Sequence, residues 1–96
     1  MKKRRKKSKY KSLKISNKLY YFYKIVWLDI VGDTGHADSI EFMKLNTAEM
    51  VSYGYIFSKD KQCIRTFASY DSKDESFSDR NVYPVGCIKA LEKINI

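Results

Sequence analysis

Ten of the chain's nineteen Lys and Arg residues fall within its first eighteen positions, with no Asp or Glu among them: Lys2, Lys3, Arg4, Arg5, Lys6, Lys7, Lys9, Lys11, Lys14 and Lys18. Clustered cations without counter-charges suit the binding of polyanions. Each cation that meets a phosphate releases a condensed counterion, so affinity falls steeply with salt. If about 6–8 of these charges touched duplex DNA, the slope would be near −0.9 per contact. The opening six basic residues also fit a nuclear import signal in a eukaryotic host. They would attract anionic lipid at about 1 kcal/mol per residue, although no apolar anchor accompanies them. The bland alternative is a tail that only solubilises.

Aromatic side chains supply the second candidate chemistry. Eight Tyr, five Phe and one Trp are present, and all but Tyr10 lie beyond residue 18. Tyr21, Tyr23, Tyr53 and Tyr55, with Tyr20 beside them, have ring faces on which unpaired bases could stack, as befits a partner held by its phosphates. Core packing is the competing use of the same rings. Gly54-Tyr55-Ile56-Phe57 resembles part of an RNA-recognition motif, but Tyr53 replaces its leading basic residue and Ile56 its small residue.

Asp33-Thr34-Gly35 resembles the catalytic triplet of aspartic proteases, whose retroviral members are homodimers of short chains. The resemblance implies that Asp33 shares a proton with its counterpart in a second subunit. It covers these three residues and Val85-Gly86. Gly32 stands where an apolar residue packs in that family, His36 where a small one follows, and no glycine-rich flap is visible. The same residues also make an ordinary strand-ending turn. His36, the only histidine, lies between Asp33 and Asp38, but one imidazole in a loop is a poor metal site. Cys63 and Cys87 stand outside any zinc spacing and read as free thiols in a reducing compartment. No P-loop or Ser-His-Asp set occurs, so no cofactor and no catalytic residue is assigned.

These residues need elements to position them. Ninety-six residues allow one domain, divided on charge into a disordered basic arm (1–18) and a small β domain (19–96) with nine basic and eleven acidic residues. Leu19 to Val31 is too interrupted by Lys24 and Asp29 for a signal or membrane span, since a central charge costs about 2.5–3.5 kcal/mol there. A soluble, cytoplasmic protein is the expectation. Tyr20 to Val31 instead reads as a strand apolar on both faces, with Tyr21, Tyr23, Ile25 and Trp27 on one and Phe22, Val26, Leu28 and Ile30 on the other. Gly32 to Gly35 ends it.

Asp38 and Glu41 have capping-box spacing and predict a short helix from Ser39 to Leu45. Val51 to Phe57 and Cys63 to Tyr70 read as strands, and Asp71 to Arg80 as a mobile acidic loop. After Pro84 two readings stay open: a helix through Ile88, Leu91 and Ile94, or a 3₁₀ turn leading into a last strand. Five strands and one short helix point to a mainly β, partly open SH3-like or Sm-like barrel.

Trp27-x-Asp29, Ser52-x-Gly54-Tyr55 and Pro84-x-x-x-Ile88 together resemble a group of small uncharacterised β-rich proteins encoded by bacteriophages. The resemblance spans about Ile25 to Ile94 and implies a compact β-rich fold, with no chemistry attached. The expected function is a non-catalytic module that binds nucleic acid or a nucleoprotein through the arm, with Arg65 and the tyrosines secondary. A phage accessory protein that binds a host protein, through the acidic loop and an aromatic patch, is the alternative. The dimeric protease is a further one.

Overall fold

The computed structural model describes residues 9–96. The cluster Lys2 to Lys7 lies outside the described residues. Among the described residues eight strands run in the order β1 (Ser12–Ile15), β2 (Lys18–Asp29), β3 (Ala48–Lys59), β4 (Cys63–Phe67), β5 (Ser69–Tyr70), β6 (Phe77–Ser78), β7 (Asn81–Pro84) and β8 (Ile88–Lys93). Six of them form one antiparallel sheet in the order β1-β2-β3-β4-β7, with β8 also on β2, and β5 pairs β6 in a second. The protein is mainly β.

The division at residue 18 is corrected by the structure. Ser12 to Ile15 pairs with Lys18 to Tyr21, and the hairpin turns through Ser16 and Asn17, both at positive φ (47° and 66°). Two consecutive positive φ values in a two-residue loop suit the right-handed twist of the flanking strands. Leu13 and Ile15 cover Tyr20, and Ile15 is buried. Further upstream, Lys11 and Lys9 bond to the C-terminal segment, Lys11 N–H to the Ile94 carbonyl (2.8 Å) and Ile96 N–H to the Lys9 carbonyl (2.7 Å). Residues 9–18 therefore belong to the fold, not to an arm.

Residues opposed in an antiparallel ladder share a face of the sheet. On β2 and β3 the pairs Phe22↔Tyr55, Lys24↔Tyr53 and Val26↔Val51 lie on one face. The pairs Tyr23↔Gly54, Ile25↔Ser52 and Trp27↔Met50 lie on the other. The alternation expected along β2 holds, except that the strand stops at Asp29 and leaves Ile30 in the following loop. Each face has its own core. On the first, Ile15, Tyr20 and Phe67 are buried with Leu13, Tyr55 and Phe77 packed around them. On the second, Ile25 is completely buried, Ile64 and Tyr83 nearly so, and Trp27 donates its indole N–H to Ser52 Oγ at 2.9 Å.

Gly54 sits where β3 and β4 approach closely. A Cβ there would lie 3.3 Å from the Phe67 carbonyl oxygen and 3.3 Å from Thr66 Cβ. Just beyond, the β3–β4 register shifts between Ile56 and Ser58, and this bulge frees Phe57 from the ladder to join the rings of Tyr20, Phe67 and Phe77.

Two sequence expectations change and one open choice is decided. The segment Cys63 to Tyr70 is not one strand: it breaks at Ala68, and its end crosses into the second sheet. The loop Asp71 to Arg80 contains β6, whose Phe77 packs into the first core. The helical reading of Ile88 to Ile94 gives way to strand–3₁₀–strand, with the single turn Val85–Cys87 between β7 and β8. That segment pairs its main chain with β2 and sets Leu91 opposite Ile25. The expected helix is one exposed turn, α1 (Ser39–Met43), capped by the Asp38 carboxylate, which accepts the Glu41 N–H at 2.8 Å.

Candidate nucleic-acid interface

The hairpin and the paired chain ends determine where the predicted basic residues stand. Lys11 lies against Phe22, whose N–H it accepts through its carbonyl at 3.0 Å, and its Nζ sits 4.4 Å from the Phe22 ring centre. Lys18, leaving the turn, stands 5.5 Å from the Tyr20 ring and 5.6 Å from Phe57. Lys24 faces Tyr53 across β2 and β3. All of these belong to the first face. Phe22 also stacks on Tyr53, with centroids 6.1 Å apart and planes 17° from parallel. Two stacked rings thus lie between the cations Lys11 and Lys24 on this face. An aromatic quadrupole attracts a cation at this range, so the rings of Phe22, Tyr20 and Phe57 steady Lys11 and Lys18.

The opposite face carries a smaller group. Lys93 faces Tyr23 and reaches over Tyr21 at 4.3 Å and Tyr10 at 4.9 Å, and the Tyr10 and Tyr21 rings meet edge to face at 6.5 Å. Lys14 pairs with Leu19 on that same face.

The four tyrosines chosen for stacking are therefore divided. Tyr21 and Tyr23 lie on one face, Tyr53 and Tyr55 on the other, and they do not form one platform. Tyr55 is half-buried against Phe22 and Phe67, with ring centres 4.9 and 5.5 Å away, and serves the core. Tyr53 is more than half exposed. Lys9, Lys11, Lys14 and Lys18 are all surface residues, whereas Lys2 to Lys7 lie outside the described residues. With six of its nineteen cations in that cluster, the remainder from Ser8 onward has thirteen basic and eleven acidic residues, a net charge of +2. The slightly negative body inferred from composition was a product of the boundary at residue 18.

Sequence reasoning missed Phe22, Lys24 and Lys93. The legible signal was Lys24, a lone cation amid an apolar strand, which must emerge beside the residues two positions away.

Arg65 stands elsewhere. A cleft of about 570 Å³ opens beside β4 and β7, walled by Phe57, Phe67 and Phe77 and bordered by Arg65 and Arg80. Asp60 holds Arg65 at 3.5 Å and accepts the N–H groups of Cys63 and Gln62. Those backbone donors, Cys63 first, hold the Asp60 carboxyl below the usual carboxylate range, with Arg65 adding to the effect. Asp74 is likewise lowered by the hydroxyl and N–H of Ser76.

The triplet Asp33-Thr34-Gly35 lies in the exposed loop after β2. Asp33 accepts the Gly35 N–H at 2.7 Å, an Asx turn, and His36 lines the same shallow surface. Cys63 and Cys87 are free thiols. No described helix is long and apolar enough to cross a membrane. Comparison with protein-family models, with curated proteins and with solved structures finds no match to this chain.

Proposed function

We propose that the protein is a non-catalytic module that binds nucleic acid or a nucleoprotein. The observation that carries this reading is the stacked pair Phe22 and Tyr53 flanked by Lys11 and Lys24 on one face, in a chain with six consecutive basic residues from Lys2 to Lys7. In the proposal Lys2 to Lys7 grip phosphates, Lys11, Lys18 and Lys24 continue the track, and the Phe22 and Tyr53 rings take unstacked bases. The fold is read as a partly open SH3-like or Sm-like barrel. The 3₁₀ turn that carries β7 toward β8, and the Trp27–Tyr83 ring contact at 5.5 Å between β2 and β7, support that reading.

The test is fluorescence anisotropy of the full chain on short single-stranded RNA and on duplex DNA across a salt series. Replacing Lys2 to Lys7 by Ser should reduce the duplex salt slope by about 5, at 0.9 per lost contact. Tyr53→Ala should weaken single-strand binding alone, by about 1–3 kcal/mol for one stacked base. Unchanged affinity in both variants refutes the proposal.

A second reading, a phage accessory protein that binds a host protein, draws on the loop between β2 and β3. Ile40, Phe42 and Met43 are 70%, 66% and 81% exposed there, an apolar surface that a protein partner would cover. Capture of one host protein after nuclease treatment, lost on Phe42→Ser, would favour it.

A further inference from the structure

We infer that the outer edge of β3 is the interface for a second copy of this chain, joined through Glu49, Val51 and Tyr53. The inference comes from hydrogen-bond parity. In a strand the N–H and C=O of one residue point to the same side, and successive residues alternate. Phe22 donates to Lys11 and accepts from Ile94, so both its main-chain groups turn away from β3. Tyr23, Ile25, Trp27 and Asp29 therefore turn toward β3, where they meet Gly54, Ser52, Met50 and Ala48. The alternate residues Glu49, Val51 and Tyr53 aim their main-chain groups outward. β4 covers that side of β3 only from Tyr55 onward, where it brings Phe67 opposite. No backbone partner for the three residues occurs among the described residues.

Such an edge is a template for another strand unless it is blocked. The other edges of this sheet carry blocks: Pro84 ends β7, β8 has a register shift and the lysines Lys89 and Lys93, and β1 is only 4 residues long with Lys14 among them. Ala48 to Tyr53 contains no proline, glycine or bulge, and its one charge, Glu49, is paired with Lys89. Val51 and Tyr53 are 50% and 55% exposed on one face, and Met50 is 41% exposed on the other.

The occupant follows from symmetry. The free stretch from Ala48 to Gly54 is centred on Val51, so an antiparallel copy pairs Val51 with its own counterpart and Glu49 with Tyr53 in both directions. Three close pairs make about six main-chain hydrogen bonds. The two-fold axis stands perpendicular to the sheet, and the contact is isologous and closed. Charge agrees. Tyr53 would lie between Lys24 of its own chain and Glu49 of the second copy, each about 4.8 Å away along the row. No like charges face each other. The dimer would present both Lys11–Phe22–Tyr53 surfaces on one face of a continuous sheet, although the inference does not depend on what those surfaces bind.

The test is the mass of the full chain by light scattering and sedimentation, in high salt after nuclease treatment. Concentrations should run from about 1 to about 300 µM, because one strand edge is a small interface. The expected mass rises from 11.3 kDa toward twice that value. Val51→Pro removes only an outward N–H and should be monomeric with an unchanged circular dichroism spectrum. Val51→Lys, which keeps the strand even if proline does not, sets two like charges together at the axis and should raise the dissociation constant at least tenfold. A wild-type chain that stays monomeric throughout overturns the inference, as does a dimer equally tight in the folded variants.

Discussion

Deleting residues 1–18 should remove a large share of the protein's stability, whereas a chain that begins at Lys9 keeps every contact described above. Ile15 is 7% exposed, and burying such a side chain fully stabilises by about 1.5–3 kcal/mol. Half-buried Leu13 adds about 1 kcal/mol on the same scale. Tyr20, 6% exposed, loses the cover that both supply, for about 1 kcal/mol more. The sum, about 3.5–5 kcal/mol before any ladder hydrogen bond is counted, compares with a total of about 5–14 kcal/mol for 96 residues. The assay is urea denaturation, followed by Trp27 fluorescence and circular dichroism, on chains starting at Met1, Lys9 and Leu19. Ile15→Ala in the full chain isolates the packing part and should cost about 2–4 kcal/mol. If the chain from Leu19 melts at the same urea concentration as the full chain, β1 is not part of the core. The reasoning that moved the boundary would then be wrong. The outcome also bears on function, because a binding defect in the chain from Leu19 would report unfolding rather than the loss of phosphate contacts.

Two further outcomes follow from local geometry. Gly54→Ala places a methyl 3.3 Å from two groups of β4, one of them on buried Thr66. Crowding of about 1–3 kcal/mol, less the roughly 0.4–1 kcal/mol gained by restricting the unfolded chain, leaves a net loss of up to about 2.6 kcal/mol in urea melts; a stabilised variant would show that the strands can part freely. Asp60 has its folded pKa lowered below 3.8 by the Cys63 and Gln62 N–H groups, so its contribution is present above that value and is lost as pH falls through the folded pKa. Asp60→Asn, which keeps an acceptor but no titration, should therefore flatten the stability profile below about pH 4, and an identical acid limb in both proteins would exclude this role.

Much was legible locally. The aromatic and β-branched run of β2 announced a strand with two apolar faces, because side-chain alternation is a property of the chain itself. The Asp38 cap, the break after Asp29 and the basic cluster are equally local. What failed was the assignment of Lys9 to Lys18 to the arm. Lys11, Lys14 and Lys18 read as a continuing tail, yet Leu13 and Ile15 flank Lys14 at strand spacing, and the Ser16-Asn17 pair suits a turn. Charge hid a period-two pattern too short to stand alone. Its strand exists because β2 has an edge for it to pair with.

Sequence alone determined that the chain is mainly β, that its cations cluster at one end and that its rings are many enough for a core. Tertiary structure alone decided which rings are core and which are surface. Tyr55 and Tyr53 have the same residue type two positions apart on one face, but β4 ends opposite Tyr55 and leaves Tyr53 uncovered. The same termination leaves the edge of β3 open, while the β2–β3 register sets Phe22 beside Tyr53. The physical reason is that charge, turn chemistry and periodicity are written in neighbouring residues. Strand pairing, by contrast, joins residues dozens of positions apart, and no short window of sequence contains both partners.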